Sequence, residues 1–565
     1  MNYLDRYEFW CKAQLTDEEQ AELKVISNDS EELKSRFGGD LQFGTAGMRG
    51  VMGIGSNRLN RYTVRRAAQG MAAWLSSTDL PKRAAIGYDS RHNSRLFAEV
   101  CAVAFAEKGM EVYLYDRLAP TPMLSYAVRE LNCGCGIVIS ASHNSGEYNG
   151  VKCYGPDGCQ MTDEPAAIVT EQISGIAYFI PETKSFNACV SEGIVKYIPE
   201  EIWKNYYNTV ISEAVDPQKI RQAGLNIVYT PLCGTGNEPV REVLGRLGAN
   251  VAVVACQDQP DGDFKTCEYP NPETDAALNE SYKVADTAPC DLILGTDPDC
   301  DRVAIAVPDG NGYKKLSGNE LGCLLMEYIL KARTERKDIP EGAIVVRSIV
   351  SSPLADRIAE HYGVTMKAVL TGFKYIGGEI LALEEKGQEH KFVFGFEESC
   401  GYLKGTYARD KDAVVASMLV CEMAADLKLQ GKTILDALDD VYANYGFYLS
   451  YVQSLELSGA DAMEKAAKMM SDLRMCVPDT IGGAKVTVVR DYGNSVSTNT
   501  ETGETSVIEL PKSNVLEFVL GKQGSVIVRP SGTEPKVKFY YTAVGPTQKA
   551  AAYLLEDMKK QMSAN

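Results

Sequence analysis

The sequence predicts an α/β protein: three similar mixed αβ domains followed by a smaller α+β C-terminal domain. Three observations carry this reading. A strand-and-helix alternation recurs three times before residue 448, its strands are continuously apolar, and the texture beyond Tyr448 changes to mostly strands. The length of 565 residues suits it, since about three to five domains with cores of their own fit such a chain.

The first alternation runs from RAAIGYD, through a helix with Leu96, Phe97, Val100, Cys101 and Ala104 facing inward, to EVYLYD. A helix from about Pro122 to Leu131 and the apolar run CGIVIS follow. Apolar strands between amphipathic helices are what a parallel sheet covered on both faces requires. The pattern returns from LNIVYTP, through a helix near Glu238 to Leu247, to NVAVVA and the strand DLILG. It returns again from AIVVRSIV, through SSPLADRIAEHYG, to TMKAVL and KFVFGF. These units share a pattern of elements rather than close sequence likeness. After Tyr448 come QSLEL, AKVTVVRDY, VLEFVL and SVIVRP, with helical stretches near Ala460 to Leu473 and Thr547 to Met562. Boundaries near Ile198, Gly318 and Tyr448 give domains 1–198, 199–318, 319–447 and 448–565.

Bulk composition narrows the function. Hydrophobic residues make up 45% and charged residues 24%, ordinary globular values that give no sign of disorder. The net charge of -18 argues against nucleic acid or an anionic membrane as partner, because both need a broad lysine and arginine footprint. Any anionic ligand must therefore meet a local basic pocket. No run approaches the roughly 20 apolar residues of a membrane span, and the opening MNYLDRYEFWCKAQ carries acids early. The sixteen cysteines are scattered without CxxC spacing, as reduced thiols in a reducing compartment would be. A soluble cytoplasmic protein is expected.

Four loops carry chemistry. In CGIVISASHNSGEYNGVKCYGPDG a buried strand turns abruptly small and polar, with Ser142 at its carboxyl end, where open α/β sheets bind ligands. A lone serine there would be an ordinary turn or cap hydroxyl. His143 and Asn144 follow it directly, glycines shape the loop, and Lys152 brings a cation able to act as acid, base or phosphate ligand.

In LILGTDPDCDR an apolar strand runs into Asp297, Asp299 and Asp301 at alternating positions, then Arg302. Three carboxylates so close repel one another unless a cation binds, and magnesium, a hard ion that accepts carboxylate and phosphate oxygens, suits them. A calcium EF-hand loop would want glycine at position six and glutamate at twelve, which counting from Asp297 are Arg302 and Pro308. An aspartyl-nucleophile phosphatase could use an aspartate pair after a strand, but it would leave Ser142 idle.

The third loop, FVFGFEESCGYLKGTYARDKDA, sets Glu397 near Ser399 in a glycine-bounded turn, a carboxylate and hydroxyl that match the vicinal hydroxyls of a sugar. In the fourth, SVIVRPSGTEPKVKFYY, Arg529, Ser531, Gly532 and Thr533 offer a guanidinium fork, hydroxyls and free amides for a phosphate, held in a proline-guided hairpin.

Together, in this order, ASHN, DPDCDR, FEES and RPSGTEP resemble the α-D-phosphohexomutase superfamily over nearly the whole chain, and the amino-terminal FGTAGMRG matches as well. The resemblance implies four domains around a central cleft: a phosphoserine-loop domain, a metal-binding domain, a sugar-binding domain and a phosphate-binding C-terminal domain. It implies that Ser142 carries the phosphoryl group, with Asp297, Asp299, Asp301 and a phosphoserine oxygen on magnesium. Glu397 and Ser399 would hold sugar hydroxyls, Arg529, Ser531, Gly532 and Thr533 the phosphate that is not reacting, and Arg49 would stand near the phosphoserine. TGFKY and EES look like the phosphoglucomutase branch, particularly its longer members that also accept pentose phosphates. Phosphomannomutase-type members place histidines where this chain has Phe373, followed by Lys374, and SCGY. The proline common after ASHN is Ser145 here.

The expected activity is a phosphoglucomutase with a phosphoserine and glucose 1,6-bisphosphate as intermediate and activator, working as monomer or homodimer. A pentose or mannose phosphate mutase would use the same machinery, and a metal-dependent sugar phosphatase is the reading from another class. Arg49, Arg302 and Lys152 would supply charge, and Lys152, Lys374 and His143 are the candidates for moving the proton.

Overall fold

The computed structural model describes residues 2–44, 47–457, 462–530 and 536–564. It divides into two compact units. The first comprises Met1–Ser317, Ile376–Phe394 and Ser399–Gly431, and the second Gly318–Tyr375, Gly395–Glu398 and Lys432–Asn565.

The first unit holds two sheets built on one plan. In one, the strands Cys135–Ile139, Arg83–Tyr88, Glu111–Leu114 and Val195–Tyr197 run parallel. Tyr148–Tyr154 then returns antiparallel beside Cys135–Ile139, and Gly47–Val51 pairs antiparallel with that return strand. In the other, Asn226–Thr230 lies parallel to both Asn250–Val253 and Leu292–Thr296, and Val303–Pro308 returns antiparallel beside Leu292–Thr296. The sheets are thus mixed rather than wholly parallel. In each, the last parallel strand and its return strand are joined by a short polar loop, 140–147 in the first sheet and 297–302 in the second.

The helices begin where local chemistry lets them. Asn60 caps Arg61–Ser76 by accepting from the Tyr62 and Thr63 amides while Thr63 Oγ1 answers its own N–H. Pro122 occupies the first turn of Thr121–Glu130, where its missing N–H costs no hydrogen bond, so this helix starts one residue before the predicted position. Arg61–Ser76 and Ser94–Ala106 bury Val64, Met71, Phe97 and Val103 against the first sheet. Ahead of this domain, three short helices over Tyr3–Phe37 pack around Trp10, whose ring meets Phe37, Tyr62 and Phe179 edge-on.

Helix Ala413–Leu429 is buried on every side from Ala413 to Ala425. Its one buried acid, Glu422, accepts the backbone N–H of Val215 at 2.9 Å and that of Asp216, and so anchors the chain entering helix Gln218–Ala223. Burial lifts this carboxyl to about 7, against the pull of the two amides and Lys404. The folded state therefore holds the proton more tightly than the unfolded chain, and stability drains away as pH rises from about 4.5 to about 7. The expected result is that Glu422→Gln flattens this slope: the gap in stability between variant and parent, from urea denaturation, should shift in the variant's favour by about 3 kcal/mol across that window. A pH-independent gap would show that Glu422 stays ionised.

In the second unit, Ile344–Ser348 and Thr365–Val369 pair parallel, flanked by helices Gly318–Arg336 and Leu354–Tyr362. Residues from Phe447 onward form a seven-stranded antiparallel sheet whose central strands, Leu516–Val519, Gly524–Pro530 and Lys536–Gly545, bury Phe518, Val526, Val528 and Tyr541 against Met470 and Met558. Helices Ala462–Met475 and Gln548–Ala564 are the two predicted there. No helix among the described residues is long and apolar enough to cross a membrane, and all sixteen cysteines are free.

Candidate active site

The shared plan of the two sheets in the first unit brings their polar loops together. Ser142 follows strand Cys135–Ile139 with φ of +53°, a left-handed conformation costing a non-glycine residue about 1–3 kcal/mol. Arg91 holds it there. Its guanidinium, wholly buried, donates to the carbonyls of Ser142 at 2.6 Å, Ser145 at 2.7 Å, Tyr148 at 3.0 Å and Asn144. Asp89 lies 3.3 Å from the same guanidinium, and Phe264 packs its ring 4.9 Å beneath it. The strain of the serine turn is thus offset by one arginine fork reaching four carbonyls.

Ser142 Oγ stands 2.8 Å from Asp297 Oδ2 and 3.2 Å from His143 Nδ1. The first distance joins the two predicted loops. Asp297 takes its place at the end of strand Leu292–Thr296, where its Oδ1 accepts the amides of Asp301 at 3.1 Å and Arg302 at 2.9 Å. Asp299 and Asp301 lie in the same turn, all three carboxylates are buried, and an oxygen of each lies within 4.8 Å of the others.

Asp297 has both oxygens engaged, whereas Asp299 and Asp301 each spend one and keep one. Asp299 Oδ2 accepts from Thr121 Oγ1 at 2.7 Å and Lys152 Nζ at 2.5 Å, and Asp301 Oδ2 lies 3.1 Å from Lys152 Nζ and 2.8 Å from Lys411 Nζ. Asp299 Oδ1 and Asp301 Oδ1 are buried without a hydrogen-bond partner. A buried carboxylate oxygen left bare costs about 1–3 kcal/mol or more, and oxygens of this kind are the donors a hard divalent cation takes. The donor set therefore fits such an ion.

The electrostatics agree. Burial, then the charges of Asp301 and Asp299, pushes the Asp297 carboxyl well above the usual range. Asp301 is held well below it, because Lys152, Lys411 and Arg302 outweigh its burial. Lys152 is kept protonated by Asp299 and Asp301 despite burial that works against its charge. Burial and the cations Arg302 and Arg49 press the His143 imidazole well below its ordinary value, so it is neutral at neutral pH.

The other expected residues fall as follows. Arg49, on Gly47–Val51, is exposed and donates to Asn144 Oδ1 at 2.9 Å, beside the serine loop. Arg302 pairs with Glu273 at 2.8 Å and has Nε 3.8 Å from Asp301 Oδ1. In the second unit Glu397 is buried at the end of strand Phe392–Glu397, its Oε1 accepting from the Gly372 amide at 2.6 Å. Lys374 begins the helix Phe373–Glu384, with its ammonium 5.0 Å from the Tyr375 ring centre. Ser399 is half-buried in the turn after Phe392–Glu397. Arg529 ends the strand Gly524–Pro530, opposite Lys538. Ser531, Gly532 and Thr533 lie outside the described residues.

Three residues at this centre escaped the sequence reading: Arg91, Thr121 and Lys411. Only Lys411 left a trace, in the dense ARDKDA stretch that follows the third loop.

Residues 40–178, 204–310, 317–445 and 483–561 match, in turn, the three α/β/α domains and the C-terminal domain of the phosphoglucomutase/phosphomannomutase family. The chain is 37% identical over 513 residues to the phosphoglucomutase of Staphylococcus epidermidis, covering 90% of this chain and 92% of that one. It is 37% identical over 506 residues to that of Staphylococcus haemolyticus, covering 89% and 90%. Among solved structures, the Paramecium phosphoprotein pp63/parafusin, a phosphoglucomutase in its open form, superposes with a TM-score of 0.69 at 16% identity, over 93% of this chain and 94% of that one. A phosphoglucomutase/phosphomannomutase family protein of Burkholderia thailandensis gives 0.67 at 16% identity, over 92% and 97%. These structural likenesses concern the fold.

Proposed function

The chain belongs to the phosphoglucomutase/phosphomannomutase family, and on that footing we propose that it interconverts glucose 1-phosphate and glucose 6-phosphate through a phosphoserine at Ser142. It is an isomerase-class phosphohexomutase. The observation that carries the residue assignment is the 2.8 Å approach of Ser142 Oγ to an aspartate whose two buried neighbours keep bare oxygens. A serine so placed can carry a phosphoryl group beside a cation site.

Phosphoryl transfer asks a protein for alignment and fixed positive charge rather than covalent chemistry. Magnesium, held by Asp297, Asp299, Asp301 and an oxygen of the phosphorylated Ser142, would supply charge on the phosphoryl oxygens. Lys152, Arg302 and Arg49 add fixed cations around the serine loop. Lys152, paired to two carboxylates and kept charged by them, would add fixed charge there and is able to give up a proton as an acid. His143, neutral and 3.2 Å from Ser142 Oγ, would move a proton at that oxygen, a role that this contact supports.

In the forward direction the Oγ–P bond of phospho-Ser142 breaks as the sugar 6-oxygen bonds to phosphorus and its proton leaves to a base. The bisphosphate then presents its 1-phosphate: Ser142 Oγ, which took up a proton when its phosphoryl group left, gives that proton up as it bonds to phosphorus, and the anomeric oxygen takes up a proton as its O–P bond breaks. Glu397 and Ser399 would hold sugar hydroxyls, and Arg529 with Ser531, Gly532 and Thr533 the remote phosphate, as their family likeness implies; Lys374 is a further candidate for moving the proton. The free thiols fit a cytoplasmic enzyme.

The test is a panel of hexose and pentose 1-phosphates assayed with catalytic glucose 1,6-bisphosphate and Mg2+. Glucose 1-phosphate should give the highest kcat/KM, with the 6-phosphate accumulating. Faster turnover of a pentose or mannose phosphate would reassign the substrate, and release of inorganic phosphate without isomer would make the protein a phosphatase.

A further inference from the structure

Thr121 stands apart from the rest of the acidic centre. It opens helix Thr121–Glu130, far along the chain from the aspartate turn, yet it grips that turn twice. Its Oγ1 donates to Asp299 Oδ2 at 2.7 Å, and its backbone N–H donates to the Asp299 carbonyl at 2.9 Å. Both residues are fully buried. The backbone contact fixes where Asp299 sits, and the side-chain contact fixes how its carboxylate is rotated.

Rotation is what decides which oxygen remains for a ligand. Asp299 has two oxygens, and the protein occupies only Oδ2, leaving Oδ1 bare. Two donors share Oδ2, and they differ in kind. Lys152 is a cation divided between Asp299 and Asp301, so a divalent ion arriving among the aspartates would repel it. The Thr121 hydroxyl is neutral and suffers no such repulsion. It also has its hydrogen committed to a single acceptor, and the helix start that carries it is fixed by the backbone bond.

We propose that Thr121 is a positioning residue for the divalent cation: its hydroxyl, bound to Asp299 Oδ2, keeps Asp299 Oδ1 turned toward the ion. This inference rests on the cation-site reading of the three aspartates given above. Partners that orient a ligating carboxylate in this way usually contribute about tenfold to a hundredfold in metal affinity.

The discriminating measurement is Mg2+ affinity of the full-length protein without sugar, by calorimetric titration, for the parent, Thr121→Val and Thr121→Ser. Valine keeps the shape and removes the hydroxyl, and serine restores it. The expected result is a dissociation constant about ten to a hundred times weaker for valine and close to the parent for serine, with circular dichroism alike in all three. Parental affinity in the valine variant, or a loss in serine equal to that in valine, would overturn the proposal while leaving the cation site in place. Should valine disturb folding, the serine variant decides alone, because a hydroxyl-dependent role requires it to bind as the parent does. Failure of the parent itself to bind Mg2+ would remove both this inference and the cation-site reading beneath it.

Discussion

Ser142→Ala should abolish both the covalent phosphate and the mutase reaction, lowering kcat by about four to six orders of magnitude, the scale on which deleting a covalent nucleophile acts. The change removes one oxygen, and the structure predicts that little else moves. The turn at Ser142 is held through main-chain carbonyls by Arg91, so the loop keeps its shape without the hydroxyl. Alanine in the left-handed region is somewhat less at ease than serine, but the residue is already non-glycine there. Intact mass of the parent after incubation with glucose 1,6-bisphosphate should show a single added phosphate, and the variant none. Retention of near-parental turnover would end the phosphoserine assignment, whatever the metal does.

Asp299→Asn should remove most of the metal-dependent rate while leaving the protein folded. Asparagine keeps the size and the acceptor that Thr121 uses, but it lowers the charge of the triad and replaces one oxygen with a poor metal ligand. The loss in kcat should be about a thousandfold, the rate equivalent of the several kcal/mol that a well-placed divalent ion supplies. The residual rate should no longer respond to Mg2+ titration. The ion pairs of Lys152 and Lys411 with Asp301 remain in the variant, which is why the fold should survive. An active variant with unchanged Mg2+ dependence would make the three carboxylates a structural cluster bound to lysines.

Ser142 and the aspartates were legible because each breaks a continuous apolar strand with an abrupt polar run, and buried strand ends are where open sheets expose function. Lys152 was legible as a cation near Ser142, though not as the residue that bridges two aspartates. Arg91 was not legible, because YDSRHNS reads as an ordinary surface turn; its four carbonyl acceptors belong to a loop some fifty residues further on. Thr121 was lost in a helix start, where a threonine has a capping role of its own.

The sheets show the same division. Cys135–Ile139 and Leu292–Thr296 were recognisable as buried strands, but nothing in an apolar run tells which way the next strand travels. Tyr148–Tyr154 and Val303–Pro308 return antiparallel, and that reversal keeps each functional loop short and turns Lys152 back toward the acids.

By itself, then, the sequence determined the succession of elements, the residue types at the strand ends and the family they resemble, since hydrophobic periodicity and local turn chemistry act over a few residues. Only the tertiary structure decided which carboxylate oxygens are spent on the protein and which are left for a cation. That choice depends on donors such as Thr121, Lys152 and Lys411, which reach the aspartates from distant parts of the chain and whose directions no local pattern encodes.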